Sequence, residues 1–157
     1  MSLIRVVARP MLASMFVAGG INALRETPVL APKAQAVTDR VIPALAEVMP
    51  QVPLPTNAAT WVRITGAVHV VGGAMLATGH LPRLTSWTLA GTLVPTTFVG
   101  HAFWQQSDPV ARKNQSVHFF KNISMIGGLL MAGIDSDPHK KMLVTRAKNK
   151  VKELAPG

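Results

Sequence analysis

Cysteine is absent from the 157 residues, which excludes structural disulfides, thiolate metal sites and cysteine nucleophiles. Tyrosine is absent as well. Charged residues make up 15% of the chain, against about 25% in ordinary soluble domains. No Asp, Glu, Lys or Arg occurs from Ile64 to Pro82, nor from Leu84 to Ser107. A soluble helical bundle needs charged stripes on its outward faces every three to four residues. Two such gaps argue against one. There is no glycine-rich phosphate loop, no nucleophile elbow and no pair of carboxylates at catalytic depth. No catalytic residue is assigned from the sequence.

What the chain does have is apolar residues, 48% of it, gathered in four blocks at about 3–24, 58–79, 84–104 and 116–134. A bilayer-spanning helix needs roughly 20 mostly apolar residues. Each block therefore predicts one membrane helix, and the fold expected is an all-α transmembrane four-helix bundle over residues 1–134. Arg5 and Arg9 open the first block, with Pro10 placed where a helix start tolerates it. Small residues mark where helices should meet: Gly19, Gly20, Gly66, Gly73, Gly127 and Gly128. His69 shares a face with Gly66 and Gly73, which predicts a hydrogen-bonded packing histidine. The first block also resembles a signal peptide. Its small-residue triplet, Ala34-Gln35-Ala36, lies too far beyond Leu24 for cleavage, so a retained helix is expected.

The formal net charge is +9, concentrated at chain ends and block edges. That distribution suits anionic lipid headgroups rather than nucleic acid. With four crossings, one side carries nine basic residues: Arg5, Arg9, Arg83, Lys140, Lys141, Arg146, Lys148, Lys150 and Lys152. The other carries five: Arg25, Lys33, Arg40, Arg112 and Lys113. Cytoplasmic segments are enriched in Lys and Arg, so both termini are expected in the cytoplasm. The basic tail, residues 135–157, then runs along the inner leaflet as a helix or stays disordered. The first loop, residues 25–57, is extracytoplasmic, holds six of the twelve prolines, and is partly helical. Residues 34–49 read as a short amphipathic segment broken at Pro43, lying on the membrane surface or over the bundle mouth.

Ionisable residues at membrane depth are costly and therefore informative. Arg63, His101, His118 and Lys121 fall toward the outer helix ends, level with Trp61 and Trp104. Asn122 shares a face with His118 and Lys121, and Thr97 shares one with His101 and Trp104. One reading is a polar ligand pocket of Arg63, His101, His118, Lys121 and Asn122, holding a quinone headgroup, a small anion or a lipid phosphate. The plainer reading is that these side chains snorkel to headgroups and bridge helices. No third ligand accompanies His101 and His118, so no metal or haem is expected.

These residues resemble the DoxX family of small four-helix membrane proteins. The first helix reads Arg9-Pro10-Met11-Leu12-Ala13-Ser14-Met15-Phe16-Val17-Ala18-Gly19-Gly20-Ile21-Asn22, and the third ends His101-Ala102-Phe103-Trp104. The fourth begins His118-Phe119-Phe120-Lys121-Asn122 and continues to Gly127-Gly128-Leu129-Leu130. The resemblance runs from Arg9 to Ile134 and implies a multi-pass bacterial inner-membrane protein. Some relatives are subunits of quinone-linked redox systems, and many have no known role. The long proline-rich first loop departs from compact members and suggests an added contact surface. The expected function is a non-catalytic accessory subunit of a redox complex or envelope lipid transporter, with membrane lipids and other integral subunits as partners. The alternative is a quinone-linked redox protein. A small transporter or lipid-binding protein is a third reading, with Gly91 and Pro95 as its one candidate helix break and no internal repeat behind it.

Overall fold

The computed structural model describes residues 3–135, and its elements are all helical. They are α1 (Leu3–Arg25), α2 (Thr27–Val48), α3 (Ala58–Thr78), α4 (Pro82–Pro95) and α5 (Pro109–Ile134). A π turn (Thr96–Gly100) and a 3₁₀ turn (Phe103–Gln105) link α4 to α5. Of the basic tail, only Asp135 falls within the described residues, so the expectations for that tail lie outside them.

Local chemistry sets the ends. Asn57 caps α3 by accepting from the Ala59 N–H at 2.8 Å. Gly79 ends it in the left-handed region at φ 72°, and the His80 N–H reaches back to the Met75 carbonyl at 2.9 Å. α5 begins at Pro109 rather than near 116. Asp108 caps it by accepting from the Ala111 N–H, and proline suits the first helical position.

Three other expectations need correction. Pro10 lies two turns inside α1, not at its start. Its ring is exposed and the helix continues past it. Pro43 does not break the first loop: α2 runs unbroken through Pro32 and Pro43. Both prolines are exposed, so their rings meet no packing, and the carbonyls they deprive of a donor lie on the same open side. The third block is not one helix to Trp104. Pro95 has no N–H for the Gly91 carbonyl, α4 stops there, and the backbone widens into the π turn and then breaks at His101 (φ −120°, ψ 39°). Thr97, His101 and Trp104 therefore do not share a helical face.

α1 and α3 run antiparallel in close contact. A Cβ on Gly20 would lie 2.7 Å from the Gly66 carbonyl oxygen, and one on Gly73 would lie 2.7 Å from Val17 Cγ2. α4 packs on α3, where Leu89 meets Gly72, and on α5, where Ser86 and Trp87 meet Gly133. The core joins Ala13 and Phe16 of α1, Leu76 of α3, Leu89, Ala90 and Leu93 of α4, and Leu129 of α5. Gly128 touches Leu12, but Gly19 and Gly127 face open space within this chain. Gly66 and Gly73 both lie against α1, whereas only one glycine of each adjacent doublet, Gly20 and Gly128, makes a contact.

α2 lies across the end of the bundle where α3 begins. It packs on α3 and on the π turn, with Val37 against Gly100, and buries only Thr27 and Thr38. Outside the core the surface is apolar: Ile4 is 78% exposed and Met131 70%. α1 and α5 are each long and apolar enough to cross a membrane. Only 22% and 17% of their apolar windows are buried, whereas a soluble core helix would be mostly buried.

Candidate functional site

The break after α4 brings together three of the five predicted ligand residues. His101 follows the π turn, and its ring stacks on that of His118 at 5.2 Å and 21°. His101 Nδ1 lies 2.7 Å from Gln115 Oε1, and His118 Nδ1 lies 3.4 Å from Lys121 Nζ. An amide oxygen only accepts, so His101 Nδ1 donates. An ammonium only donates, so His118 Nδ1 accepts. For two neutral imidazoles, this leaves an acceptor at His101 Nε2 and a donor at His118 Nε2 on two stacked rings. Among the described residues neither makes a hydrogen bond.

Five aromatic rings wall this end. Phe119 on α5 meets Phe98 at 5.4 Å, Phe103 at 5.4 Å, Trp104 at 5.6 Å and Phe120 at 5.5 Å, each close to edge-on. The cluster clamps the irregular 96–105 segment to α5 and so fixes His101 over His118. Trp61 anchors nearby chain by donating from Nε1 to the Pro55 carbonyl at 2.5 Å.

The other two predicted residues stand apart. Arg63 is exposed on α3 and shares no hydrogen bond or ion pair with the histidines. Asn122 is buried, 4% exposed, against the bundle. His69 packs deeper, its Nε2 2.9 Å from Thr92 Oγ1 and its ring edge-on to Phe16 at 5.4 Å. No three His, Asp or Glu side chains converge as a metal site would among the described residues.

Sequence reasoning missed two things here. Gln115, three residues before His118, is the partner that fixes His101. A second polar group also forms at the opposite end of the bundle. Arg5 donates from Nε and Nη2 to the two oxygens of Asp135, each at 2.7 Å. Arg9 Nη2 lies 3.6 Å from the same carboxylate. The Arg5 hydrogen bond, aided by the charges of Arg5 and Arg9, holds the Asp135 carboxyl below its ordinary value against the opposing effect of burial. The signal was present in the expected topology, since an even number of crossings returns the end of α5 to the start of α1.

The DoxX family model matches residues 4–102 of the chain. The match covers α1 to the end of the π turn, including His101, and stops before the His118–Leu130 stretch of the resemblance. No curated protein matches the chain. No solved structure matches it. With well over half its length matched, and with long apolar helices exposed around an all-α fold, this chain belongs to the DoxX family of membrane proteins.

Proposed function

We propose that the chain crosses a bacterial inner membrane four times and acts as a non-catalytic subunit of a larger membrane complex. The crossings are α1, α3, α4 with its π turn, and α5, with both termini cytoplasmic. The observation that carries this reading is α2. At about 1.5 Å per residue it is a rod of about 33 Å, held to the bundle by one edge. Its Lys33, Gln35, Asp39, Arg40 and Glu47 are all exposed. Mixed charge along an exposed helix at the bundle mouth suits docking to a polar protein surface. The partner is a redox complex or an envelope lipid transporter. Mild detergent extraction followed by size analysis tests the reading. Stoichiometric co-purification of another membrane protein is expected, weakened by Arg40→Glu with Lys33→Glu. A lone monomer with nothing bound in mild detergent would overturn it.

A second reading has its own observation, the stacked His101 and His118 rings, one left with an acceptor at Nε2 and the other with a donor. A quinone carbonyl accepts from one and a quinol hydroxyl donates to the other, with the ring among Phe103, Trp104 and Phe119. Lipid extracts of the purified protein should then contain near-stoichiometric quinone, lost in His118→Ala. Retention of quinone by that variant would remove the histidines from the site. Lys121→Ala separates a role in binding from one in fixing the His118 tautomer.

A further inference from the structure

We propose that Val37 of α2 is a positioning residue that holds His101 over His118, so that whatever docks on α2 is felt at the histidine pair. The inference rests on both readings above, α2 as the docking helix and the stacked histidines as the site.

The backbone that carries His101 is weakly held by its own hydrogen bonds. It leaves the π turn at φ −120° and ψ 39°, and the His101 N–H reaches the Thr97 carbonyl at 3.3 Å. Packing from two sides therefore has to place it. On one side, Phe98, Phe103 and Trp104 meet Phe119 of α5. On the other, α2 packs on the π turn. The contact there is Val37, half-buried, against Gly100: a Cβ on Gly100 would lie 3.4 Å from Val37 Cγ2. Gly100 is the residue before His101, so a shift of its backbone carries His101 with it.

α2 is itself lightly held. It follows α1 after one non-helical residue, Glu26 (φ −106°, ψ 27°), and buries only Thr27 and Thr38. An element with so little burial belongs to the low-stability end of a fold. His101, in turn, depends on two contacts, its Nδ1–H on Gln115 at 2.7 Å and its stack on His118. The bond made by one imidazole nitrogen decides which nitrogen carries the proton. With Val37 seated, Gln115 keeps that proton on Nδ1, and Nε2 is an acceptor. With Val37 lifted from Gly100, the turn is free on that side and the Gln115 bond loosens. The proton then distributes between the two nitrogens, and Nε2 becomes a donor for part of the time. A partner that favours one seat of α2 shifts the pair between these states by its difference in affinity for them.

The test reads imidazole nitrogen shifts of the full chain in mild detergent, with His101→Asn identifying the His101 signals. Wild type should show the His101 proton on Nδ1. Gln115→Ala defines the released state, with the two nitrogen shifts drawn together by exchange. Val37→Ala should move His101 toward that state, and Val37→Ile, which keeps the branched wall, should read as wild type. His69, bonded to Thr92 in the interior, should not move in either variant. An unchanged His101 in Val37→Ala would overturn the proposal, and so would an equal shift at His69, which marks general loosening. The readout is a proton position and involves no quinone, so it fails separately from the quinone reading. Should Val37→Ala fail to fold, Val37→Cys with Gly100→Cys decides, since the chain has no other cysteine. The disulfide should keep the wild-type His101 signals and its reduction should release them. The same signals in both states would overturn the proposal.

Discussion

Arg5 grips Asp135 through two bonds of 2.7 Å across 130 residues of chain, tying the start of α1 to the end of α5. A carboxylate at a helix C-terminus is unfavourable on its own, because the helix dipole is negative there. The arginines reverse that. Replacing Asp135 with Asn should lower stability by about 1–3 kcal/mol, since it leaves two guanidinium groups uncompensated. Arg5→Ala and Asp135→Ala should be non-additive, with a coupling of about 1 kcal/mol that shrinks in high salt. Thermal unfolding in mild detergent measures both.

The same pair sets an acid limit. The Asp135 carboxyl titrates below its ordinary value of 3.8 when folded. Its contribution is therefore complete above that ordinary value and is lost as pH falls through the depressed one. The melting-temperature gap between wild type and Asp135→Asn should be constant above about pH 5 and close below the folded carboxyl's pKa. A gap that persists unchanged at the lowest pH the protein tolerates would contradict the pairing.

Much of this fold could be read from the apolar blocks, because a bilayer-spanning helix declares itself by composition. α1 and α3 begin and end within a residue of the boundaries set by composition. What failed was proline. Pro43 and Pro32 do not stop α2, whose rings face outward, whereas Pro95 ends α4 at a packed position. One residue type gave opposite outcomes because burial decides, and burial is not local. At the site, His101 and His118 lie near one another in sequence across a break, so their meeting was legible. Arg63 entered the candidate site only by depth along its helix, and depth does not say which side of the bundle a residue faces. The even number of crossings put the start of α1 beside the end of α5, but which side chains would meet there, Arg5 with Asp135, required the three-dimensional fold.

Neighbouring glycines should respond in opposite ways. At Gly20 a Cβ meets backbone atoms of Gly66 and Val70 at 2.7 and 2.9 Å, and backbone cannot swing away. Gly20→Ala must push α1 from α3 and should cost about 1–3 kcal/mol or abolish monodisperse protein. Gly19→Ala meets nothing within 4 Å and should be neutral or slightly stabilising through helix propensity. Size-exclusion profiles and melting curves of the two variants, made in parallel, decide this. Loss of monodispersity in Gly19→Ala alone would instead mark that open face as a contact with another chain.

The chain's lack of cysteine makes its orientation testable. Gln51→Cys, in the connection from α2 to α3, should react with an impermeant maleimide in intact cells. Arg83→Cys, at the start of α4, should react only after permeabilisation. Both positions are exposed, so accessibility in the fold does not limit either reaction. The reverse pattern would invert the assigned orientation, and equal labelling in intact cells would refute an odd number of crossings between the two sites.

Hydrogen-bond direction makes the last prediction. The Thr92 hydroxyl donates its one proton to the Leu89 carbonyl at 2.8 Å, so His69 Nε2, 2.9 Å away, must be the donor to Thr92 Oγ1. Thr92→Val keeps the shape but leaves the half-buried His69 N–H without its acceptor, and should cost about 1–3 kcal/mol. His69→Leu leaves only an unused lone pair on Thr92, whose proton is still placed. Adding Thr92→Val to His69→Leu should then cost less than Thr92→Val does alone, because the orphaned donor has gone. Imidazole nitrogen shifts of the wild type should report the proton on Nε2. A proton on Nδ1, or two strictly additive substitutions, would show that His69 and Thr92 are neighbours without this bond.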